Sequence, residues 1–344
     1  MTFALHLRLA VAAALVCAPL AAKAATLDDV KAQGIVKCGV APLREGFSVN
    51  DGQGNWSGID ADFCRAIAAA VFDDPKAVLF RDYSTAERFP ALNAGDVDVL
   101  ARTTTWTMGR DTAQGFNFRA INYFDGQGFL VNRKKQPDIT SVLQLSGAKV
   151  CVLEQTTSLQ NLQDYFAANK MQVEPVIFKK LDELLAAYDQ GTRCDAYTTD
   201  QSGLYSARIN LSAPEDHVVL PEVISKEPLG PVVRQGDEQW FDIVTWVHYA
   251  MLTAEELGVT STNIQEMQNS TNPDIRRLLG IGEYAELGEK LGLTGDWAAR
   301  IIRHVGNYGE VFERNVGEQS RLKIMRGLNA LWTKGGLQYA PPLR

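Results

Sequence analysis

The 344-residue sequence lacks the patterns that identify several common classes of protein. It has no C-x-x-C pair, and His217, His248 and His304 stand apart from one another, so no metal site is expected. It also has no G-x-S-x-G, H-E-x-x-H or P-loop pattern, which argues against the common serine hydrolases, zinc proteases and nucleotide-binding proteins. We therefore expect no metal and no other cofactor.

Long apolar runs are equally rare, and the longest lies at the start of the chain. Residues 1–24 carry one early cation, Arg8, an apolar run over 9–20, and small residues at Ala22 and Ala24. This pattern predicts a secretory signal peptide. The run is too short to span a bilayer, which requires about 20 apolar residues, and no later segment is long enough. We expect an exported chain from residue 25 onward, without membrane insertion.

Positive charge is scarce as well. The chain has 34 Lys and Arg against 41 Asp and Glu, a formal net charge of −7. Loss of Arg8 and Lys23 with the leader makes the remaining chain more acidic still. Nucleic-acid binding requires a basic surface, so nucleic acid is not an expected partner.

Four cysteines remain once the leader is removed, namely Cys38, Cys64, Cys151 and Cys194. An even number of cysteines in an exported protein favours disulfides. Of the three possible pairings we predict Cys38–Cys64 and Cys151–Cys194, because each bridge then stays within one half of the fold. The alternative is four buried thiols.

Strand and helix patterns alternate in two separate stretches. The first covers 35–100 and the second covers 148–199, and such alternation predicts α/β units with largely parallel sheets. In the first stretch, Asp60 is placed to cap a helix over 61–72. After Arg234 the pattern is helical and ends with a predicted long helix over 311–332.

Hydroxyl side chains and an arginine follow a predicted strand over 97–100. The chain reads Thr103-Thr104-Thr105 and then reaches Arg110. Hydroxyls and backbone N–H groups at a strand end can hold a carboxylate, and an arginine can close on it with a two-pronged, charge-assisted bond. The alternative is a threonine-rich loop with a surface arginine.

Five motifs, taken in order, resemble the polar-amino-acid class of extracellular solute-binding proteins, family 3. They cover 58–68, 91–99, 103–110, 153–157 and 190–200. A narrower likeness, carried by 103–107, 123–129 and the long C-terminal extension, is to the general L-amino-acid-binding proteins of bacterial ABC transporters. This resemblance implies a periplasmic, monomeric protein that captures a broad range of L-amino acids and delivers them to inner-membrane permease subunits.

The resemblance also implies a periplasmic-binding-protein type II fold. In that fold, two α/β lobes are joined by two hinge strands, and the ligand lies in the cleft between them. The first lobe is expected to comprise 25–123 plus 230–344, including the helical C-terminal extension, and the second lobe 124–229.

Family resemblance assigns the ligand contacts as well. The carboxylate of an amino acid is expected to contact donors from both lobes, and its ammonium group to contact Asp200. The expected carboxylate donors are Arg110, Thr105 and Thr103 from the first lobe, with Thr156 and Thr157 from the second.

Side-chain recognition is less defined. Tyr83 aligns with an aromatic that stacks on the ligand, and its alternative is a core tyrosine. Ala41 stands where an acidic residue often binds cationic ligands, with Arg44 close behind, so neutral polar and acidic amino acids are the expected ligands. Arg102 stands where the subfamily usually has Asn and would favour acidic ligands or face solvent. Gln127 would touch the ligand or satisfy the hinge backbone.

An enzyme on the same fold is the main alternative. Cyclohexadienyl dehydratases use a similar cleft on carboxylate substrates, and such a reaction needs a placed general acid. Glu154 is the candidate acid in this sequence, and it is otherwise an ordinary loop residue.

Overall fold

The structure is a computed structural model, and it describes residues 25–344. The predicted signal peptide lies outside the described residues. Within them, two separate β-sheets are flanked by helices, so the predicted α/β class is confirmed. No helix of the described chain is both long enough and apolar enough to cross a membrane.

Within residues 25–344, fourteen strands form two large sheets and one small meander. In chain order the strands are β1 Val36–Val40, β2 Leu43–Arg44, β3 Ser48–Asn50, β4 Trp56–Ser57, β5 Val78–Asp82, β6 Val99–Thr105, β7 Phe116–Asn117, β8 Tyr123–Asp125, β9 Gln127–Asn132, β10 Ala148–Leu153, β11 Val173–Phe178, β12 Ala196–Asp200, β13 His217–Val219 and β14 Glu227–Arg234.

The α-helices of the described chain surround these sheets and supply most of the C-terminal third. In chain order they are α1 Thr26–Gln33, α2 Ile59–Phe72, α3 Arg88–Ala94, α4 Thr157–Ala168, α5 Leu181–Gln190, α6 Gln201–Arg208, α7 Glu238–Glu256, α8 Ile264–Met267, α9 Pro273–Leu278, α10 Glu286–Lys290, α11 Trp297–His304 and α12 Tyr308–Asn315.

The first sheet has the order β5-β1-β6-β14-β7, with β8 pairing the far end of β14. Its three N-terminal strands, β1, β5 and β6, are parallel, as the alternation of strands and helices predicts. Strand β14 comes from much later in the chain and pairs antiparallel with β6, placing Leu229 opposite Thr105. The first sheet therefore combines strands that precede the second sheet along the chain with one strand, β14, that follows it.

The second sheet has the order β11-β10-β12-β9-β13 and is built from one continuous stretch of chain. Strand β10 is parallel to β11 and β12, whereas β9 is antiparallel to β12. The chain enters this sheet after Asp125 and leaves it before Glu227, and these two residues are register partners in the β8–β14 pair. The two crossing segments thus lie side by side.

Helix α2 forms the centre of the first core. Nearly all of its side chains are buried, because it packs against β1 and β6 on one side and against α7 and α11 on the other. The predicted capping role of Asp60 is wrong: Gly58 is the N-cap and makes no side-chain bond. Asp60 lies inside the helix, where its carboxylate accepts from the backbone N–H of Thr103 at 3.0 Å.

Two predicted boundaries also need correction. Strand β6 continues to Thr105 rather than ending at Leu100, because β-branched threonines suit a buried strand, and all seven of its residues are buried. The long helix predicted over 311–332 is absent from the structure; α12 ends at Asn315. Gly317 follows almost at once, and glycine inside a helix costs about 1 kcal/mol.

Both predicted disulfides are present. Cys38–Cys64 joins β1 to α2, and Cys151–Cys194 joins β10 to the residue shortly before β12. Each bridge therefore ties a strand of one sheet to its own neighbouring elements, as the predicted pairing requires.

The C-terminal segment contacts the crossing strand β8. The buried side chain of Asn329 accepts from the backbone N–H of Phe124 at 2.7 Å and donates to its carbonyl at 3.0 Å. Gln338 donates to the backbone carbonyl of Ile121 at 3.1 Å, and the hydroxyl of Tyr308 donates to the backbone carbonyl of Asn122 at 2.9 Å. The end of the chain therefore holds the backbone that leads into the second sheet.

Replacing this amide is the first test. We expect Asn329→Ala to lower the free energy of unfolding by about 1–3 kcal/mol, because two hydrogen bonds disappear and both backbone groups of Phe124 lose their partner. Denaturant unfolding followed by circular dichroism measures the change. The matched control is Asn269→Ala at an exposed position, where the change should stay within about 0.5 kcal/mol. Equal effects of the two substitutions would contradict the bracing role.

Candidate functional site

A narrow cavity lies between the two sheets, where the ends of β6 and β12 face each other. Its volume is about 30 Å³, enough for water and too small for an amino acid, so any such ligand requires the sheets to separate. Both halves of the chain contribute to its lining. The lining residues are Arg44, Thr85, Arg88, Arg102, Thr103, Thr105, Arg110, Leu153, Thr156, Thr157, Ser158, Thr199 and Asp200.

The structure brings together most of the residues that sequence reasoning proposed for ligand binding. Seven of the nine line this cavity, and so does Arg102. The two that do not are Tyr83 and Gln127. The seven are Arg44, Thr103, Thr105, Arg110, Thr156, Thr157 and Asp200.

Strand β6 and the turn that follows it position the arginine. The buried Arg110 donates to the carbonyl of Thr105 at 2.7 Å, and its guanidinium lies 5.3 Å from the centre of the Phe89 ring. Its remaining donors are free to meet a ligand. Thr103 has a backbone φ of 41°, a left-handed conformation that is strained for a β-branched residue and costs about 1–3 kcal/mol. The hydrogen bond from the backbone N–H of Thr103 to Asp60 holds this strained conformation, and Thr103 lines the cavity.

Four arginines line the cavity, and within residues 25–344 none of them forms an ion pair with a carboxylate. The Nε atoms of Arg44 and Arg88 are buried without a hydrogen-bond partner, and Arg102 donates only to the carbonyl of Tyr83, at 2.8 Å. Burial and then repulsion from Arg44 lower the pKa of Arg102 to about 9, which leaves it charged at neutral pH. Four cationic side chains therefore face the cavity directly.

Arg88 was missed by sequence reasoning. It opens α3, is buried, and lies over the ring of Phe89 at 4.7 Å. Burial, followed by repulsion from Arg102 and Arg110, lowers its pKa. The sequence signal was weak, because an arginine at the start of a helix normally faces solvent.

Asp200 is the one carboxylate among the described residues that line the cavity. It ends β12, is buried, and its Oδ1 has no hydrogen-bond partner. Burial raises the pKa of Asp200 well above its ordinary value, and the nearby charges of Asp125 and Glu227 raise it further. An incoming cation would restore the ionised form, so the side chain is suited to an ammonium group.

Two further buried carboxylates adjoin the cavity. Burial raises the pKa of Asp60 to about 6, against the opposing effect of the hydrogen bond from Thr103. Burial likewise raises the pKa of Asp125 to about 6, opposed by hydrogen bonds from Ser202 and Gly126. With pKa values near 6, both carboxyls are largely ionised at pH 7, so they offset part of the arginine charge from behind the cavity walls.

Glu227, a second residue that sequence reasoning missed, joins the two sheets. Its carboxylate is almost fully buried, and Thr105 of β6 and Thr157 of α4 both donate to Oε2, at 2.6 and 2.9 Å. Asn161 and Ser225 donate to Oε1, each at 2.7 Å. Its sequence surroundings carry no motif, and only the three-dimensional contacts identify it.

The remaining predicted residues take structural positions. The amide nitrogen of the buried Gln127 donates to the carbonyl of Ser158 and the hydroxyl of Thr198, at 3.0 and 2.8 Å, so it serves the second sheet. Tyr83 is half-buried against a small apolar cluster of the first sheet. Thr156 caps α4, and its hydroxyl donates to the carbonyl of Leu153 at 2.8 Å, which leaves no hydrogen for a ligand carboxylate.

A second, wider cavity opens from the first. Its volume is about 340 Å³, within the range of small-molecule sites. It shares four lining residues with the narrow cavity, among them Arg44 and Arg102, and adds Lys179 and Lys180 from the second half of the chain. Asp82, Glu87 and Asp182 also line it, so both charge signs are present.

Known proteins resemble this chain over nearly its whole length. It is 58% identical, over 97% of both chains, to a general L-amino acid-binding periplasmic protein of Rhizobium johnstonii. It is 50% identical, over 94% of this chain and 95% of the relative, to a glutamate/glutamine/aspartate/asparagine-binding protein of Rhodobacter capsulatus.

A solved structure is similar as well. A periplasmic binding protein of an ABC transporter from Brucella ovis, with glutathione bound, is 56% identical and has a TM-score of 0.92, over 94% of this chain and all of the other. The predicted type II periplasmic-binding-protein architecture is therefore confirmed. The family model described as bacterial extracellular solute-binding proteins, family 3, matches residues 36–292, most of the chain. The resemblance inferred from the five motifs is thus correct, and this chain belongs to the bacterial extracellular solute-binding proteins, family 3.

Proposed function

We propose that this chain is a periplasmic substrate-binding protein that captures L-amino acids, with acidic amino acids and their amides favoured, and delivers them to the permease of an ABC transporter. One observation carries the proposal. Four arginines, of which Arg44 is half-buried and the other three are buried, have no carboxylate partner in the described chain and face one narrow cavity. The single carboxylate among the described residues that line this cavity, Asp200, has an unpartnered oxygen. An amino acid supplies both missing partners, since it presents carboxylate and ammonium groups together.

The amino-acid head group fits the two ends of the cavity. Arg110 is held in place by the carbonyl of Thr105 and still has donors for a two-pronged bond to the α-carboxylate. The hydroxyl of Thr103 makes no hydrogen bond within the described residues and is free to donate to the same group. Asp200, on the opposite sheet, accepts from the ammonium. The ligand then bridges the two sheets.

A second carboxylate on the ligand accounts for the remaining positive charge. Arg44, Arg88 and Arg102 are not needed for one α-carboxylate, and a buried unpaired cation is costly. An acidic side chain, or an amide of the same shape, would contact them. The Rhodobacter relative, which is a glutamate/glutamine/aspartate/asparagine-binding protein, supports this choice of ligands.

Closure follows from the same contacts. In our proposal the lobe of residues 25–123 plus 230–344 moves relative to the lobe of residues 124–229 about the crossing strands, and the chain works as a monomer. A ligand that contacts both lobes binds the closed state better than the open one and shifts the population toward it. The closed protein is then the form presented to the permease.

The dehydratase alternative is not favoured. The relatives of highest identity described above are solute-binding proteins. Glu154, the candidate general acid, lines neither the narrow cavity nor the wider one.

The proposed carboxylate contact can be tested at Arg110. We expect Arg110→Ala to weaken glutamate binding by about 2–5 kcal/mol, because the α-carboxylate would then be buried without its cationic partner. Isothermal titration calorimetry on protein stripped of bound ligand measures the change. Arg303→Ala, an exposed arginine far from the cavity, is the matched control and should bind as wild type. If Arg110→Ala also binds as wild type, the assigned site is wrong.

The raised pKa of Asp200 predicts that ligand affinity increases with pH. Its raised pKa means that the ligand-free carboxyl holds a proton at acidic pH, and the ammonium requires it ionised. Glutamate binding should therefore release a proton and tighten as pH rises toward that pKa. Titrations in two buffers of different ionisation enthalpy give the number of protons released. Asp200→Asn should bind weakly and lose most of this pH dependence; an unchanged pH profile would refute the assignment.

A second class of ligand is favoured by the wider cavity. We propose that γ-glutamyl peptides such as glutathione also bind, with the glutamyl head in the narrow cavity and the rest of the peptide in the wider one. The glutathione-bound relative supports this, and Lys179 and Lys180 offer cations for a terminal carboxylate. The acidic residues of the lining suit peptide N–H groups.

Substitution of Lys179 and Lys180, which line the wider cavity, distinguishes binding of amino acids from binding of γ-glutamyl peptides. We expect the double substitution Lys179→Ala, Lys180→Ala to weaken glutathione binding about tenfold through the loss of two nearby positive charges, and to leave glutamate binding unchanged. Lys76→Ala, on the exposed surface of the first half, is the control. Competition titrations with both ligands measure the effect. Equal weakening of glutamate and glutathione, or no glutathione binding to the wild type at all, would contradict the peptide class; wild-type glutamate binding would still support the amino-acid class.

A further inference from the structure

Glu227 occupies a position that matters for ligand recognition although it does not line the cavity. Its carboxylate accepts four hydrogen bonds, from Thr105 on the first sheet, from Thr157 and Asn161 on helix α4, and from Ser225 at the crossing. All four neighbours donate and none accepts. The arrangement therefore suits the ionised carboxylate and satisfies both of its oxygens.

The consequence lies in the two threonines. A hydroxyl has one hydrogen and two lone pairs. At 2.6 Å and 2.9 Å from Oε2, the hydroxyls of Thr105 and Thr157 give their hydrogens to Glu227. Both residues also line the narrow cavity, so the part of each hydroxyl that remains for a ligand is a lone pair.

We propose that Glu227 sets the polarity of the ligand site, by turning Thr105 and Thr157 from hydrogen-bond donors into acceptors for an ammonium group. This rests on the proposed function, because it requires a ligand that carries an ammonium. It also revises the role that family resemblance implied for both threonines, which was to donate to the ligand carboxylate.

The side-chain groups that face the cavity are then of two chemical kinds. The carboxylate of Asp200 and the hydroxyl lone pairs of Thr105 and Thr157 accept hydrogen bonds and suit the ammonium. The guanidinium of Arg110 donates and suits the carboxylate. A ligand with a carboxylate and no ammonium would leave these side-chain acceptors without a donor and would bind weakly. Glu227 is thus a positioning residue that acts through two hydroxyls.

The isosteric change Glu227→Gln reverses this arrangement. An amide has one accepting oxygen and one donating nitrogen. The oxygen faces Asn161 and Ser225, both of which donate there, and the nitrogen then faces the two threonines. Each hydroxyl must now accept from the amide and turn its hydrogen toward the cavity. The two hydroxyls become donors toward the cavity while the shape of the site stays the same.

The experiment compares glutamate with glutarate, which has the same two carboxylates and no ammonium. Calorimetric titration of both ligands gives the ratio of their affinities for wild type, Glu227→Gln, Thr157→Val and the double variant. Any change in closure or folding acts on both ligands and cancels in the ratio. Thermal unfolding of each variant checks that it is folded.

We expect Glu227→Gln to lower the glutamate-to-glutarate affinity ratio about tenfold, because the loss of one charge-assisted hydrogen bond to the ammonium has about this effect. In the Thr157→Val background the same change should lower it only about threefold, because the hydroxyl of Thr105 alone remains to be reversed. Thr157→Val by itself should weaken glutamate and spare glutarate. The Thr157→Val measurement tests the proposal even if the Glu227→Gln variant does not fold.

Three results overturn the proposal. The first is an unchanged ratio in Glu227→Gln. The second is the same reduction whether position 157 is threonine or valine, which would show that Glu227 does not act through that hydroxyl. The third is equal weakening of glutamate and glutarate by Thr157→Val, which is the behaviour of a carboxylate donor. If wild type binds neither compound, the proposed amino-acid function fails instead, so the two failures are distinct.

Discussion

The unpaired positive charge between the two sheets is the constraint on which the rest of the structure depends. Arg44, Arg88, Arg102 and Arg110 share one narrow cavity, and each loses hydration there without gaining a carboxylate within the described chain. Such burial costs several kcal/mol per ion in proteins. Packing of the two cores and the disulfides must offset that cost, and an anionic ligand would remove much of it. Binding and structural stability are therefore linked at this site.

Local patterns predicted much of the fold. Strands β10, β11 and β12 alternate with helices α4 and α5 over 148–200, as the sequence pattern predicts, and both cysteine pairings are correct. These features depend on neighbouring residues or on an even number of cysteines in an exported chain. The convergence of Arg110 and Asp200 followed from family motifs, because periodicity alone does not relate positions 90 residues apart.

Other features depend on contacts that no local pattern encodes. Glu227 meets Thr105 and Thr157 only after the chain has crossed between sheets twice, and Arg88 becomes a cavity residue only because the second sheet covers it. Asp60 has the sequence of a helix cap, yet tertiary packing places it inside α2. Helix α12 ends two residues before Gly317, and the segment that the pattern predicted as helical contains a second glycine, Gly327.

The divided first sheet has a consequence for how the molecule is assembled. The second sheet uses one continuous stretch, from β9 to β13, and contains its own disulfide, so it has every residue it needs before β14 is available. The first sheet is incomplete until β14 is present, and the backbone of β8 lacks a hydrogen-bond partner until Asn329, near the end of the chain, is present. During export, which delivers the chain from its N-terminus, the binding cleft is therefore the last part to form.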